Sequence, residues 1–122
     1  MKSPHKGQAG LRRLINAFGY SMHGFRDAYE HEHAFRQEVM LAAVLLPLAF
    51  LLEGSGLGRA LMVGSVLLVV LVELLNSAIE ATVDRISLET HVLAKRAKDI
   101  GSAAVLLSLI NLMVVWGLVL FG

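Results

Sequence analysis

A stripe of polar side chains interrupts the apolar stretch at residues 72–84, which reads V-E-L-L-N-S-A-I-E-A-T-V-D. On a helix, Glu73, Asn76, Glu80 and Asp84 fall within an arc of roughly 80°, while the other faces carry Leu, Val, Ile and Ala. Ionisable groups in an apolar segment are costly unless they are paired or used. The stripe is therefore the first candidate for a functional site.

The carboxylates are suited to binding a divalent cation together with phosphate. Glu32 precedes the first apolar segment, and Glu80 lies about one turn from the end of the second, so antiparallel packing would bring them to one depth. Mg²⁺ takes such oxygen ligands along with substrate phosphates. Lys98 and Arg13 could then pair with phosphate oxygens.

Glu73 lies deeper among apolar residues, a setting that suits a general base acting on a hydroxyl presented from the lipid. Phosphoryl transfer needs little beyond positioning, a metal and such a base. The sequence has no P-loop, kinase glycine-rich loop or HRD/DFG set, so a nucleotide site would lie outside the usual soluble folds.

Other readings of the stripe are less consistent with its composition. Polar residues that only hydrogen-bond packed helices to one another are usually Ser, Thr or Asn. That role fits Asn76 and Ser77 better than it fits the carboxylates. A cation channel or transporter needs a polar path across the membrane, but residues 60–72 contain only Ser65 as a polar side chain. A purely structural protein has no use for three carboxylates in one stripe.

The histidines are weaker candidates. His31 and His33 are two residues apart and would point away from each other on a helix, which favours solvated surface positions over metal ligands. His91, beside Glu89 in a charged loop, fits either a solvated loop or a ligand-binding role.

Length and composition indicate an all-α integral membrane protein of one domain. The chain has 122 residues, 56% of them hydrophobic, and a mean hydropathy of +0.65, whereas soluble domains have about 45–50% apolar residues. There is room for three spans of ~20 residues. The net charge of +1 does not suggest nucleic acid, and the absence of cysteine excludes disulfides.

The predicted order is a mobile basic tail (1–10), a surface helix (11–33) and three spans (34–52, 60–83 and 100–121). The first ~30 residues lack the apolar core of a cleaved signal peptide. Apolar residues recur at helical spacing in the surface helix, which suits either the membrane interface or packing on the bundle; they are Leu11, Ile15, Phe18, Met22, Phe25 and Tyr29. The Gly-rich segment 53–59 predicts a tight turn. Trp116 is expected to anchor the far interface.

The distribution of basic residues predicts the orientation. Of the eleven Lys and Arg residues, six precede or begin the first span, four lie in the second loop and only Arg59 lies in the first loop. The positive-inside rule then places the N-terminus and the second loop in the cytoplasm, and the C-terminus outside. Glu73 would lie about 10 Å deeper than Glu80.

Four blocks of the sequence resemble those of the prokaryotic membrane diacylglycerol kinases. Residues 73–84 (E-L-L-N-S-A-I-E-A-T-V-D) are similar to the family signature, and further blocks are similar at 19–21 (G-Y-S), 34–38 (A-F-R-Q-E) and 96–105 (R-A-K-D-I-G-S-A-A-V). The resemblance runs from about residue 11 to 116. It implies a homotrimer of chains with one surface helix and three spans each, in the bacterial inner membrane, with composite active sites at the cytoplasmic interface.

The resemblance also implies MgATP-dependent phosphorylation of diacylglycerol to phosphatidic acid, with roles for individual residues. Glu73 resembles the general base, and Glu32 and Glu80 resemble the Mg²⁺ ligands. The nucleotide set is Arg13, Tyr20, Glu32, Glu80, Glu89, His91, Lys98 and Asp99. The lipid set is Arg13, Ser21, Phe35, Arg36, Glu38, Glu73, Ser102 and Trp116. Asn76 and Asp84 resemble supporting residues.

Three positions depart from well-known members of the family. Met22 and Tyr29 stand in place of Trp, and Lys95 stands in place of Gly, which adds a charge near the nucleotide loop. None belongs to the carboxylate set, so the departures bear on lipid preference and nucleotide affinity. Because related proteins phosphorylate a polyprenol, undecaprenol kinase is the alternative function.

Overall fold

The computed structural model describes residues 6–86 and 92–122, which form four helices: α1 (Lys6–His31), α2 (His33–Leu52), α3 (Gly56–Ile86) and α4 (Val92–Phe121). By length and composition, α2, α3 and α4 can each cross a membrane. The all-α prediction with three candidate spans is therefore confirmed. At ~1.5 Å per residue, α3 and α4 exceed the ~30 Å hydrocarbon layer, so their ends extend beyond it.

The N-terminal helix is longer than the sequence predicts. It begins at Lys6, so residues 6–10 are helical although they were assigned to a mobile tail. No proline occurs between Pro4 and Pro47, and a single glycine such as Gly10 costs a helix only about 1 kcal/mol. At its other end α1 stops at His31, two residues before the predicted limit.

Glu32 separates α1 from α2 in an extended conformation, with φ −112° and ψ 108°. Arg36 stabilises this break: its guanidinium donates to the carbonyls of Tyr29 at 2.7 Å and Glu30 at 3.1 Å. These carbonyls belong to the last turn of α1 and have no partner within that helix. The Glu32 side chain is thereby held where α1 meets α2.

The turn between α2 and α3 is tighter than the predicted segment 53–59, because α3 already begins at Gly56. Ser55 caps α3, since its Oγ accepts the Gly58 N–H at 3.0 Å and donates to the Glu53 carboxylate at 2.7 Å. Arg59 donates to the carbonyls of Glu53 at 2.6 Å and Phe50 at 3.0 Å, which ties α2 to α3. Such a short connection makes the two helices antiparallel neighbours.

The core lies along α3, which packs against both α2 and α4. Its centre consists of Ala42, Val66, Val69 and Leu112. The Trp116 indole N–H donates to the Met62 carbonyl at 3.2 Å and the Ser65 hydroxyl at 3.1 Å. Trp116 was predicted to anchor the membrane interface. Its N–H is bonded within the helix bundle, because α3 supplies two acceptors beside it, and its place at the interface stays a prediction.

Many large apolar side chains point outward from the three spans. Examples are Leu51, 79% exposed, and Leu107 and Leu118, each 67% exposed. This is the pattern of helices whose outer faces meet lipid or other protein chains rather than water.

Nearer the Asp84 end of α3, α4 approaches α3 at a glycine. A Cβ atom at Gly101 would collide with the Asn76 Oδ1 atom, whereas one at Gly117 would meet nothing within 4 Å. Gly101 therefore permits a close helix contact beside the polar stripe. Gly117 lies on the same helix without such a contact, so it serves as the control position.

We expect Gly101→Ala to lower the free energy of unfolding by about 1–3 kcal/mol, because the new methyl group overpacks the contact with Asn76. Gly117→Ala should leave stability unchanged or raise it by up to about 1 kcal/mol, since alanine favours helix. Denaturation in detergent micelles measures both. Equal destabilisation by the two substitutions would contradict this account of the packing.

Candidate active site

Four carboxylates gather where α1, α2 and α3 meet. Glu73 on α3 is only 4% exposed, while Glu32, Glu38 and Glu80 are half-buried. Glu73 is removed from water, and Glu38, Glu80 and Glu32 all lie close enough for their charges to act on it. None of the four forms an ion pair with any residue in 6–86 or 92–122. The cluster is thus a concentration of negative charge without a direct cationic partner.

The predicted stripe runs along α3 from the interior to its C-terminal end. Glu73 and Asn76 are buried, Glu80 is half-buried and Asp84 is exposed. This gradient follows from the 3.6-residue period, which keeps the polar groups on one face while α3 emerges from between α2 and α4. Glu80 is therefore accessible from the C-terminal end of α3, whereas Glu73 is shielded.

Two buried polar atoms in the stripe make no close hydrogen bond among the described residues: Asn76 Oδ1 and Ser77 Oγ, of which Ser77 Oγ acts on the Glu73 carboxylate at longer range. Each residue is 7% exposed. Buried polar atoms are nearly always satisfied in folded proteins, so unsatisfied ones need an explanation such as a bound ligand or water. Both atoms lie within one turn of Glu73, which makes this part of α3 suited to receiving a polar group.

Lys98 joins α4 to the stripe. Its ammonium group lies 2.6 Å from the Asp84 carboxylate, and its charge also acts on Glu80. Lys98 precedes the apolar segment of α4, and the hydrogen bond to Asp84 raises the pKa of Lys98. Lys95 instead pairs with Asp99 on its own helix at 2.7 Å. Lys98 is therefore the cation that faces the carboxylates.

A cavity of about 590 Å³ opens between α1 and α3 next to the cluster. Glu32 and Ser77 face it from opposite sides, and Ser21 lies further along α1. The remaining lining residues are Gly24, Phe25, Asp27, Ala28, His31, Leu74, Ala78 and Ala81. The structure thus brings Ser21 and Glu32 to the polar stripe through one shared space.

Several predicted site residues lie away from the cluster in a single chain. Arg13 and Tyr20 line a groove formed by α1 alone. Ser102 is exposed on α4, and Trp116 contacts α3 at Met62 and Ser65, roughly 12–16 Å along that helix from Glu73. Glu89 and His91 lie outside the described residues.

Two residues of the predicted lipid set, Phe35 and Arg36, lie where α1 and α2 of the same chain meet. Phe35 is buried at 3% exposure and borders an apolar groove between α1 and α2. Arg36 binds the α1 carbonyls described above. Both therefore position the helices around the cluster, whatever else they contact.

One group of metal-ligating side-chain types lies outside the predicted site residues. Asp27, Glu30 and His31 could each place a ligand atom within 4.8 Å of the other two. Their spacing i, i+3, i+4 puts all three on one helical face, a pattern that the pair His31 and His33 does not share.

The chain is similar to known proteins over nearly its whole length. The pattern common to prokaryotic diacylglycerol kinases matches residues 19–120. The diacylglycerol kinase of Pseudomonas aeruginosa is 58% identical over 120 residues, which cover 98% of each chain. Those of Haemophilus influenzae and Escherichia coli are 50% and 47% identical, over 92% and 93% of this chain and 95% and 93% of theirs.

The chain belongs to the prokaryotic diacylglycerol kinase family. The resemblance noted in the sequence is confirmed, and the chain is a kinase of this family. The matched range includes all four carboxylates of the cluster together with Lys98.

We expect Glu38→Gln to raise the free energy of unfolding by on the order of 1 kcal/mol in buffer containing a chelator, because it removes one of the negative charges that repel Glu73. Glu30→Gln is the control: it removes an exposed pairing with Arg26, and should lower stability by less than about 1 kcal/mol. Denaturation in detergent gives both values. A destabilised Glu38→Gln would show that repulsion does not dominate in the cluster.

Proposed function

We propose that this protein is an ATP-dependent diacylglycerol kinase, which transfers the γ-phosphoryl group of MgATP to the hydroxyl of 1,2-diacylglycerol and forms phosphatidic acid in phospholipid metabolism. The names of its relatives support the substrate. The observation that carries the mechanism is the buried Glu73 carboxylate, held beside unsatisfied polar atoms and next to the more accessible Glu80.

Glu73 serves as the general base. A lipid hydroxyl that reaches it gives up its proton to the carboxylate as the hydroxyl oxygen bonds to the γ-phosphorus and ADP leaves. The shielded position excludes bulk water, which would otherwise compete with the lipid for the phosphoryl group. The unsatisfied Asn76 Oδ1 supports an orienting role for Asn76.

Glu32 and Glu80 would hold Mg²⁺. They are half-buried carboxylates with no ion pair among the described residues, which fits a hard divalent cation that prefers oxygen ligands. When bound, Mg²⁺ neutralises charge on the ATP phosphates. Lys98, held by Asp84 and acting on Glu80, is placed to pair with phosphate oxygens at the same end of the stripe.

The remaining nucleotide residues support a composite site in a homotrimer. Arg13 and Tyr20 lie on a face of α1 that no other helix of the same chain covers in the groove they line. A neighbouring chain would bring that face to a carboxylate cluster. The exposed apolar faces of the three spans support such an assembly. With Glu89, His91 and Asp99, these residues complete the proposed nucleotide set.

The lipid reaches the site from the membrane side. The apolar stripe of α1 is between 45% and 66% exposed, which supports a helix lying at the cytoplasmic surface of the inner membrane. Ser21 on α1 and Ser102 on α4 would lie near the lipid headgroup. The orientation rests on the distribution of Lys and Arg, with the N-terminus and the α3–α4 loop cytoplasmic and the C-terminus outside.

A transport function is not supported by the outer half of the bundle. The hydroxyls of Ser65 and Ser108 donate to carbonyls of their own helices at 2.7 Å, and the described residues offer no chain of polar groups leading outward from Glu73. An ion path would need such groups.

Purified wild-type protein should convert MgATP and a short-chain diacylglycerol to phosphatidic acid, with lower turnover on undecaprenol. Glu73→Gln should reduce kcat by about 10²–10⁴-fold, since it removes the base but keeps the shape of the side chain. Nucleotide binding, measured separately, should persist. Faster turnover on undecaprenol would overturn the substrate assignment, and near-normal kcat in Glu73→Gln would overturn the base assignment.

Lys98→Met should raise the KM for MgATP by about tenfold or more, because the proposed phosphate contact is charge-assisted. Arg96→Met is the matched control: this exposed arginine lies two residues away on α4 and forms no ion pair among the described residues. Its KM should change by less than about threefold. Steady-state kinetics at saturating lipid tests the pair, and equal effects would argue against a specific role for Lys98.

A further inference from the structure

Arg36 lies between two carboxylates of the cluster, four residues after Glu32 and two before Glu38. It forms an ion pair with neither of them. Its guanidinium donates instead to the carbonyls of Tyr29 at 2.7 Å and Glu30 at 3.1 Å, at the C-terminal end of α1. This half-buried arginine therefore leaves the neighbouring carboxylates free and holds the backbone of another helix.

Glu32 is the point where the two helices join. Its N–H donates to the Ala28 carbonyl of α1 at 2.8 Å, and its own carbonyl accepts the Arg36 N–H of α2 at 3.2 Å. Arg36 thus acts on both sides of Glu32, through its backbone within α2 and through its side chain on α1. Together these bonds fix the angle at which α1 meets α2.

The Glu32 carboxylate takes no part in these backbone bonds. The residue before a helix commonly uses its side chain to bond the first free N–H groups, but the side chain of Glu32 makes no such bond. The side chain is half-buried, borders the cavity between α1 and α3, and lies close enough to Glu73 for its charge to act there. The carboxylate is therefore available to a cation, and its position depends on how the backbone around it is held.

We propose that Arg36 is a positioning residue for the cation and nucleotide half of the site: its bonds to α1 hold Glu32 at the cluster and so set the affinity for the divalent ion with its nucleotide. This inference rests on the proposed function, in which Glu32 and Glu80 hold Mg²⁺. Because Mg²⁺ demands near-ideal ligand geometry, a small change in the angle between α1 and α2 weakens its binding. The family resemblance, by contrast, places Arg36 near the lipid.

Three variants separate these roles. Arg36→Met removes the charged donor, so the last carbonyls of α1 lose their side-chain partner and α1 can rotate about Glu32. Arg36→Lys keeps a charge and donors on a shorter side chain, so it should restore part of the loss. Arg26→Met is the matched control, because this arginine lies on α1 and pairs with the exposed Glu30 side chain rather than with the backbone.

The test uses full-length protein in detergent micelles. Calorimetry without lipid measures binding of the non-hydrolysable β,γ-imido analogue of ATP with Mg²⁺, hydrogen exchange reports on the Glu32 N–H, and steady-state kinetics gives the KM for diacylglycerol. In Arg36→Met we expect nucleotide binding to weaken by about tenfold or more, as for residues that orient metal ligands. Exchange at Glu32 should become faster, while the KM for the lipid changes less than about threefold. Arg36→Lys should lie between this variant and wild type, and Arg26→Met should match wild type.

Several results would overturn the proposal. A raised KM for the lipid with unchanged nucleotide binding would make Arg36 a lipid contact, and weaker nucleotide binding without faster exchange at Glu32 would make it a direct nucleotide contact. Equal weakening in Arg26→Met would show a general effect of charge. Should Arg36→Met fail to fold, an Arg36→Lys variant identical to wild type in binding and exchange would overturn it. Wild-type protein that binds the nucleotide but does not phosphorylate diacylglycerol would overturn the proposed function alone.

Discussion

The main constraint on this structure is that it holds four carboxylates partly or wholly out of water inside an apolar helix bundle. An unpaired charge away from water is strongly unfavourable, and four carboxylates close together add mutual repulsion. Glu73 has no ion-pair partner among the described residues, and the nearest charges acting on it are also negative. Such an arrangement is expected where binding of a cation and phosphate supplies the missing compensation. Such a cluster lowers the local stability of the fold, as functional sites commonly do.

The rest of the fold gathers this cluster toward one end of the bundle. The break at Glu32, held by Arg36, lets α1 leave the line of α2 and border the cavity that Ser77 lines from α3. Gly101 brings α4 close to Asn76 on another side. The outer half of α3 is fixed by the core and by Trp116, so the polar half has a rigid support.

The site also shows a division between deep and accessible positions. Glu73 is shielded, which suits contact with a lipid hydroxyl, whereas Glu80 and Asp84 become progressively exposed toward the C-terminal end of α3, where the proposed nucleotide site lies. Lys98 meets the stripe at that exposed end. In the proposed site, one helix would connect a membrane-soluble substrate with a water-soluble one, and a few turns of α3 would set the distance between them.

The sequence by itself determined the helical class, the three apolar segments and the single polar stripe, because these depend on residue type and helical period, which are local properties. It also carried the family resemblance in residues 73–84. Its element ends were less accurate: α1 begins at Lys6 and α3 at Gly56, since capping by Ser55 and the absence of proline outweighed the glycines. Only the tertiary structure decided which residues meet across helices. The bond from Trp116 to α3, the pairing of Lys98 with Asp84 and the cavity shared by His31 and Ser77 join residues on different helices. Such contacts depend on the relative rotation and spacing of packed helices, which no local pattern encodes.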